Sequence, residues 1–135
     1  MSETLKNYFW VAIGSTVGGV GRFWISGLVA DRMSGAFPWN TLVVNVTGSF
    51  LIGVLGALTA ATGRLAPEVR SFGIHFLMIG VCGGYTTFSS FSLQTFRLAQ
   101  DGEWLYAGGN AVASLIFCML AVWLGFYLGR IFTPR

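Results

Sequence analysis

Three long runs without a charged residue constrain this chain more than any other feature. Residues 33–63, 71–96 and 104–129 contain no Asp, Glu, Lys or Arg. Each run is longer than the roughly 20 residues that cross the hydrocarbon core of a bilayer. Only 10% of the residues are charged while 54% are hydrophobic, which leaves too few charges to cover a water-facing surface. The sequence therefore predicts an integral membrane protein.

An all-α architecture with four transmembrane helices follows from these runs and from a first apolar stretch near the N-terminus. That stretch is long enough to cross a bilayer, although Arg22 interrupts it. The connections are short, so residues 1–135 are predicted to form a single membrane domain. A signal peptide is not expected, because further hydrophobic spans follow the first one directly. The predicted spans cover about 8–30, 39–62, 71–98 and 104–132.

The supply of reactive side chains excludes most enzymatic chemistry. The chain has one histidine and five carboxylates, and all the carboxylates lie outside the predicted spans or at their edges. Cys82 and Cys118 both lie in apolar stretches, so neither a disulfide framework nor a zinc site is expected. We predict that the chain is not an enzyme, and no nucleic-acid partner is expected.

The positive charges give only a weak orientation signal. Four spans place both termini on one side of the membrane, with five Lys or Arg residues, against two on the opposite side. The positive-inside rule then favours cytoplasmic termini. Because the difference is modest, insertion of the chain in both orientations stays open.

Arg22 is the only charged residue well inside a predicted span, about three residues or roughly 5 Å past its midpoint. A conducted cation or a cationic substrate would need an acidic residue in the membrane, and the spans contain none. Arg22 is expected either to extend to the lipid headgroups or to line a vestibule that attracts anions. The residue types favour an anion as the transported species.

The third predicted span contains the sequence GGYTTFSSFS at residues 83–92, which is a poor helix former. We therefore predict a broken helix, which membranes tolerate where the freed backbone faces protein or a water-lined cavity. Freed carbonyls near Gly83 and Thr86 would suit a small hard cation, whereas freed N–H groups or hydroxyls would suit an anion. Phe88 and Phe91 share a helix face, and their electropositive ring edges would either stabilise a small anion or simply pack.

Polar and small residues elsewhere in the spans need partners. Thr41 and Asn45 lie four residues apart, as do Asn110 and Ser114, and the Asn45 amide offers two uncharged donors to an ion. Interhelical hydrogen bonding is the alternative role. Small-residue steps at 14–18, 80–84 and 125–129 allow close helix packing, within one chain or between two. Four short helices enclose little volume, so a pathway is expected to need a second subunit.

Three motifs together resemble those of one known family. GRFW at 21–24, TLVVNV at 41–46 and GGYTTFSSFS at 83–92 are similar to motifs of the bacterial fluoride-channel family, Fluc or CrcB. The resemblance covers essentially the whole chain. It implies a passive fluoride-selective channel of the bacterial inner membrane that exports fluoride from the cytoplasm. It also implies an antiparallel, dual-topology homodimer within the lipid bilayer, with two pores per dimer.

The same resemblance assigns roles to individual residues. It implies that Asn45, Phe88 and Phe91 line the fluoride pathway, with Arg22 at its entrance and Ser114 close by. Backbone carbonyls of Gly83 and Thr86 from both subunits would hold a structural sodium ion at the dimer centre. Weaker pathway assignments fall on hydroxyl groups, namely those of Thr41, Thr87, Ser89 and Ser90.

Two other classes of function are weighed against the channel. A proton-coupled exporter of a small anion or small molecule is the alternative, but exporters of cationic drugs need a membrane carboxylate that this chain lacks. A non-transporting membrane assembly protein would leave the combination of Asn45, Phe88 and Phe91 unexplained.

Overall fold

The computed structural model describes residues 2–60 and 66–132, and every regular element in them is helical. This confirms the all-α prediction. Residues 61 and 62 of the predicted second span, and the basic residues Arg64 and Arg135, lie outside the described residues. The helices are α1 (Glu3–Arg32), α2 (Trp39–Ala60), α3 (67–85), α4 (Phe88–Gln100) and α5 (Trp104–Ile131).

Helix α3 is not a uniform α-helix. Its central part, Gly73–Cys82, has the wider i→i+5 hydrogen bonds of a π-helix, between α-helical turns at Pro67–Phe72 and Gly83–Tyr85. A π-helical segment is rare and often lies next to a functional site. Here it leads directly into the predicted break.

Three described helical segments are long and apolar enough to cross a membrane: Trp39–Ala60, Pro67–Gln100 and Trp104–Ile131. Together they make the chain a multi-pass membrane protein. Helix α1, which has 30 residues and would extend about 45 Å, is not among the three. Its predicted role as the fourth span stays a prediction.

Glycines bring the helices together in two close pairs. Gly14 and Gly18 of α1 lie against the α3 backbone, where an added methyl group would collide with Gly80 and with the Tyr85 amide. Gly125 of α5 lies in the same way against the α2 backbone. Such close approach is how helices associate where lipid removes the hydrophobic driving force. The small-residue steps therefore pack helices within one chain.

Much of the apolar surface has no partner in the single chain. In the most apolar window of α5, only 6% of the residues are buried inside the structure. A helix this exposed and this hydrophobic must face lipid or another protein surface.

Candidate functional site

The third membrane-crossing segment is interrupted at two threonines, which confirms the predicted break. Thr86 (φ −78°, ψ 159°) and Thr87 (φ −151°, ψ 112°) are extended, and they separate Tyr85 at the end of α3 from Phe88 at the start of α4. Both threonines are β-branched and tolerate extended backbone well. The break therefore leaves polar backbone groups at membrane depth, which must find partners elsewhere.

The side chain of Asn45 on α2 holds one side of the break. The Thr87 amide donates to Asn45 Oδ1 at 2.8 Å, and Asn45 Nδ2 donates to the Thr87 carbonyl at 3.0 Å. One side-chain amide thus satisfies both polar groups of one residue, much as a neighbouring strand would. The second hydrogen of Asn45 Nδ2 stays available to a ligand, because an amide nitrogen carries two donors.

Two carbonyls at the break lose their ordinary helical donors. In a continuous helix the Thr87 amide would donate to the Gly83 carbonyl, but it donates to Asn45 instead. The Ser90 amide would donate to the Thr86 carbonyl, but it donates to Thr87 Oγ1 at 3.2 Å. Gly83 and Thr86 therefore present carbonyl oxygens of the kind that hold hard cations at unwound membrane helices.

The N-terminus of α4 is capped by hydroxyl groups. Thr87 Oγ1 accepts from the Ser90 amide, donates to Ser90 Oγ at 3.1 Å, and lies 3.2 Å from Ser89 Oγ. The amides of Phe88 and Ser89 belong to the first turn, so they have no acceptor within the helix. The helix dipole makes this end favourable for an anion, whereas the end of α3 favours a cation. Ser89 and Ser90 both contact the capping Thr87 through their hydroxyl groups, and their place in the pathway stays a prediction.

A groove of about 550 Å³ runs along the break. Three elements form its walls: α2, the segment around the break, and α5. None of the described residues that line it carries a charge. They are Asn45, Gly48, Ser49, Ile52, Cys82, Gly83, Thr86, Thr87, Phe88, Phe91, Ala111, Ser114, Leu115, Cys118 and Met119.

The phenylalanine pair forms an aromatic wall of this groove. The ring centroids of Phe88 and Phe91 are 5.3 Å apart, and the ring planes are tilted by 46°. Phe91 is half-buried, whereas 78% of Phe88 is exposed in the single chain. The structure thus brings Asn45, Phe88 and Phe91 to one groove, together with Ser114.

A chain of hydrogen bonds behind the groove links α5 to α4. Ser114 Oγ donates to Asn110 Oδ1 at 3.4 Å, and the fully buried Asn110 donates through Nδ2 to Thr95 Oγ1 at 2.8 Å. Thr95 in turn donates to the Phe91 carbonyl at 2.8 Å. The spacing of Asn110 and Ser114 was visible in the sequence, but no local signal identified Thr95.

Four predicted pathway residues are not among those that line the groove: Ser89 and Ser90 of the cap, Thr41 and Arg22. Thr41 is buried in α2, one turn before Asn45. Arg22, half-buried in α1, donates from Nη1 to the Thr86 carbonyl at 3.3 Å. Arg22 therefore contacts the break itself. Its side chain is directed towards Thr86 and not towards the lipid headgroups, which was one of its two expected positions.

The fold and the groove define a class: multi-pass α-helical membrane proteins in which a broken helix lines an uncharged polar and aromatic path. The family model described as "CrcB-like protein, Camphor Resistance (CrcB)" matches residues 9–126. The chain belongs to this CrcB family, which confirms the resemblance seen in its motifs.

Curated relatives match nearly the whole chain. A protein of Methylocella silvestris is 56% identical over 119 residues, which are 88% of this chain and 89% of the relative. One of Opitutus terrae is 58% identical over 118 residues, 87% and 88% of the two chains. One of Paramagnetospirillum magneticum is 55% identical over 121 residues, 90% and 93%. Each of the three is named "Fluoride-specific ion channel FluC".

Proposed function

We propose that this chain is a passive fluoride-selective ion channel of the bacterial inner membrane, which exports fluoride from the cytoplasm. The observation that carries the proposal is that Asn45, Phe88 and Phe91 line the same groove at the helix break. The relatives at 55–58% identity are named as fluoride-specific ion channels, not as enzymes or carriers.

The groove offers a chemical replacement for the water around fluoride. Fluoride is small and strongly hydrated, so a narrow path must supply donors as the ion sheds its shell. The free Asn45 N–H, the first amides of α4 and the ring edges of Phe88 and Phe91 are such groups. All are uncharged, so they bind an anion without retaining it as a full positive charge would.

The proposed unit is an antiparallel homodimer with two pores. In support, the groove is open along one side, and 78% of Phe88 is exposed in the single chain. A second subunit would close this side, whereas lipid alone would leave the pathway unsealed. The weak charge bias between the two membrane faces is compatible with insertion in both orientations. A membrane-impermeant label attached after Arg135 should be reachable from both faces; one-sided labelling of all functional molecules would contradict the antiparallel arrangement.

A structural sodium ion at the dimer centre is the proposed cofactor. Its ligands would be the carbonyls of Gly83 and Thr86 from both subunits. Both carbonyls lack their helical donors and both residues line the groove, which supports the assignment. Because the ligands are backbone atoms, Thr86→Ser should be tolerated. A crystal grown with a heavier ion in place of sodium should show density at the break.

Fluoride efflux from proteoliposomes separates the channel from the proton-coupled exporter. Through a channel, efflux from potassium-loaded vesicles should begin only when valinomycin lets potassium follow, and it should not require a proton gradient. A coupled exporter would need protons instead. Efflux that depends strictly on a proton gradient, or no efflux, would contradict the proposal.

A further inference from the structure

The guanidinium of Arg22 donates a hydrogen bond to one of the two carbonyls that are proposed to bind the cation. Arg22 Nη1 donates to the Thr86 carbonyl at 3.3 Å, across 64 residues of sequence. The only ion pair among the described residues joins Lys6 and Glu3, so no carboxylate there neutralises Arg22. The positive charge therefore acts on the break directly.

A cation on the same carbonyl would be repelled by this guanidinium. Hard cations lie about 2.4 Å from oxygen ligands, which places the two charges no more than about 6 Å apart. At an effective dielectric constant of about 20, two unit charges at that distance weaken binding by about a hundredfold. Delocalisation of charge over the guanidinium reduces this, so we expect an effect of about ten- to a hundredfold.

We propose that Arg22 and the central cation compete for the Thr86 carbonyl, so that Arg22 is the positioning residue that sets cation occupancy at the break. The inference rests on the proposed cation site and concerns its regulation. With the cation absent, the guanidinium satisfies the carbonyl and holds the extended backbone in place. With the cation bound, the guanidinium releases the carbonyl, and the break keeps its geometry through Asn45.

The test is a sodium titration of the purified dimer in which the unfolding temperature is measured at each sodium concentration. Total salt is held constant with N-methylglucamine chloride. Arg22→Gln should lower the sodium concentration for half-maximal stabilisation by about ten- to a hundredfold, since it removes the repulsion. Arg22→Lys keeps the charge and should stay within about threefold of the parent. Arg97→Gln removes an exposed charge on α4 away from the break and is the matched control.

A purely structural role would lower the unfolding temperature of Arg22→Gln in every salt without moving the sodium midpoint. That result, or a higher midpoint, would overturn the competition. A parent protein that sodium does not stabilise beyond N-methylglucamine would overturn both the competition and the cation site, but not fluoride conduction, which efflux measures separately. Should Arg22→Gln not fold, labelled arginine in the parent decides: sodium should release the Arg22 N–H from its hydrogen bond, and an unchanged signal would overturn the inference.

Discussion

Replacing Asn45 by aspartate changes the polar clamp at the break and the charge of the proposed pathway in one step. The carboxylate still accepts from the Thr87 amide, but the donor to the Thr87 carbonyl at 3.0 Å is lost. Two oxygens then face each other, at a cost of about 1–3 kcal/mol. A full negative charge about 5 Å from a passing anion adds roughly 3 kcal/mol of repulsion at an effective dielectric constant of 20.

Fluoride efflux from Asn45→Asp proteoliposomes should therefore fall by about a hundredfold or more. Asn45→Ser keeps a smaller, neutral donor and should retain more activity. Asn40→Asp is the matched control, since Asn40 lies on the same helix but outside the groove. Each variant is first shown to be a folded dimer by size-exclusion chromatography. Asn45→Asp protein that is folded, dimeric and as fast as the parent would show that the pathway runs elsewhere.

Three further changes test separate parts of the groove. Phe88→Ile keeps apolar bulk but removes the electropositive ring edge, so efflux should fall at least about tenfold with little change in unfolding temperature; equal rates would show that the ring only packs. Gly48→Ala places a methyl group against Thr86 and should reduce efflux, whereas Gly19→Ala, with open space around it, should not. Asn110→Ala breaks the hydrogen-bond chain behind the groove and should cost about 1–3 kcal/mol of unfolding free energy by chemical denaturation; no loss would make the chain dispensable.

The sequence was sufficient to predict the helices and the break because both depend on local chemistry. Long uncharged runs required membrane helices, and the glycine and hydroxyl residues at 83–92 marked where a helix would fail. The resemblance to the family motifs predicted Asn45, Phe88 and Phe91 as pathway residues, and the structure brings all three to one groove.

Long-range partners could not be predicted, because spacing along one helix does not say which helix it meets. The contact of Asn45 with Thr87 spans 42 residues, and that of Arg22 with Thr86 spans 64. For the same reason, the spacing of the glycines does not distinguish helix packing within a chain from packing between chains. Sequence spacing likewise does not show that Ser89, in the first turn of α4, contacts the capping Thr87.

The most direct measurement of the central claim is the reversal potential of the purified protein in a planar bilayer. Equal concentrations of fluoride and chloride are placed on opposite sides, with the same impermeant cation on both. A fluoride-selective channel should carry a current whose reversal potential lies far from zero, with the sign that opposes fluoride flow. A reversal potential near zero would contradict selectivity, and the absence of current in protein that is shown to be a folded dimer would contradict a channel altogether.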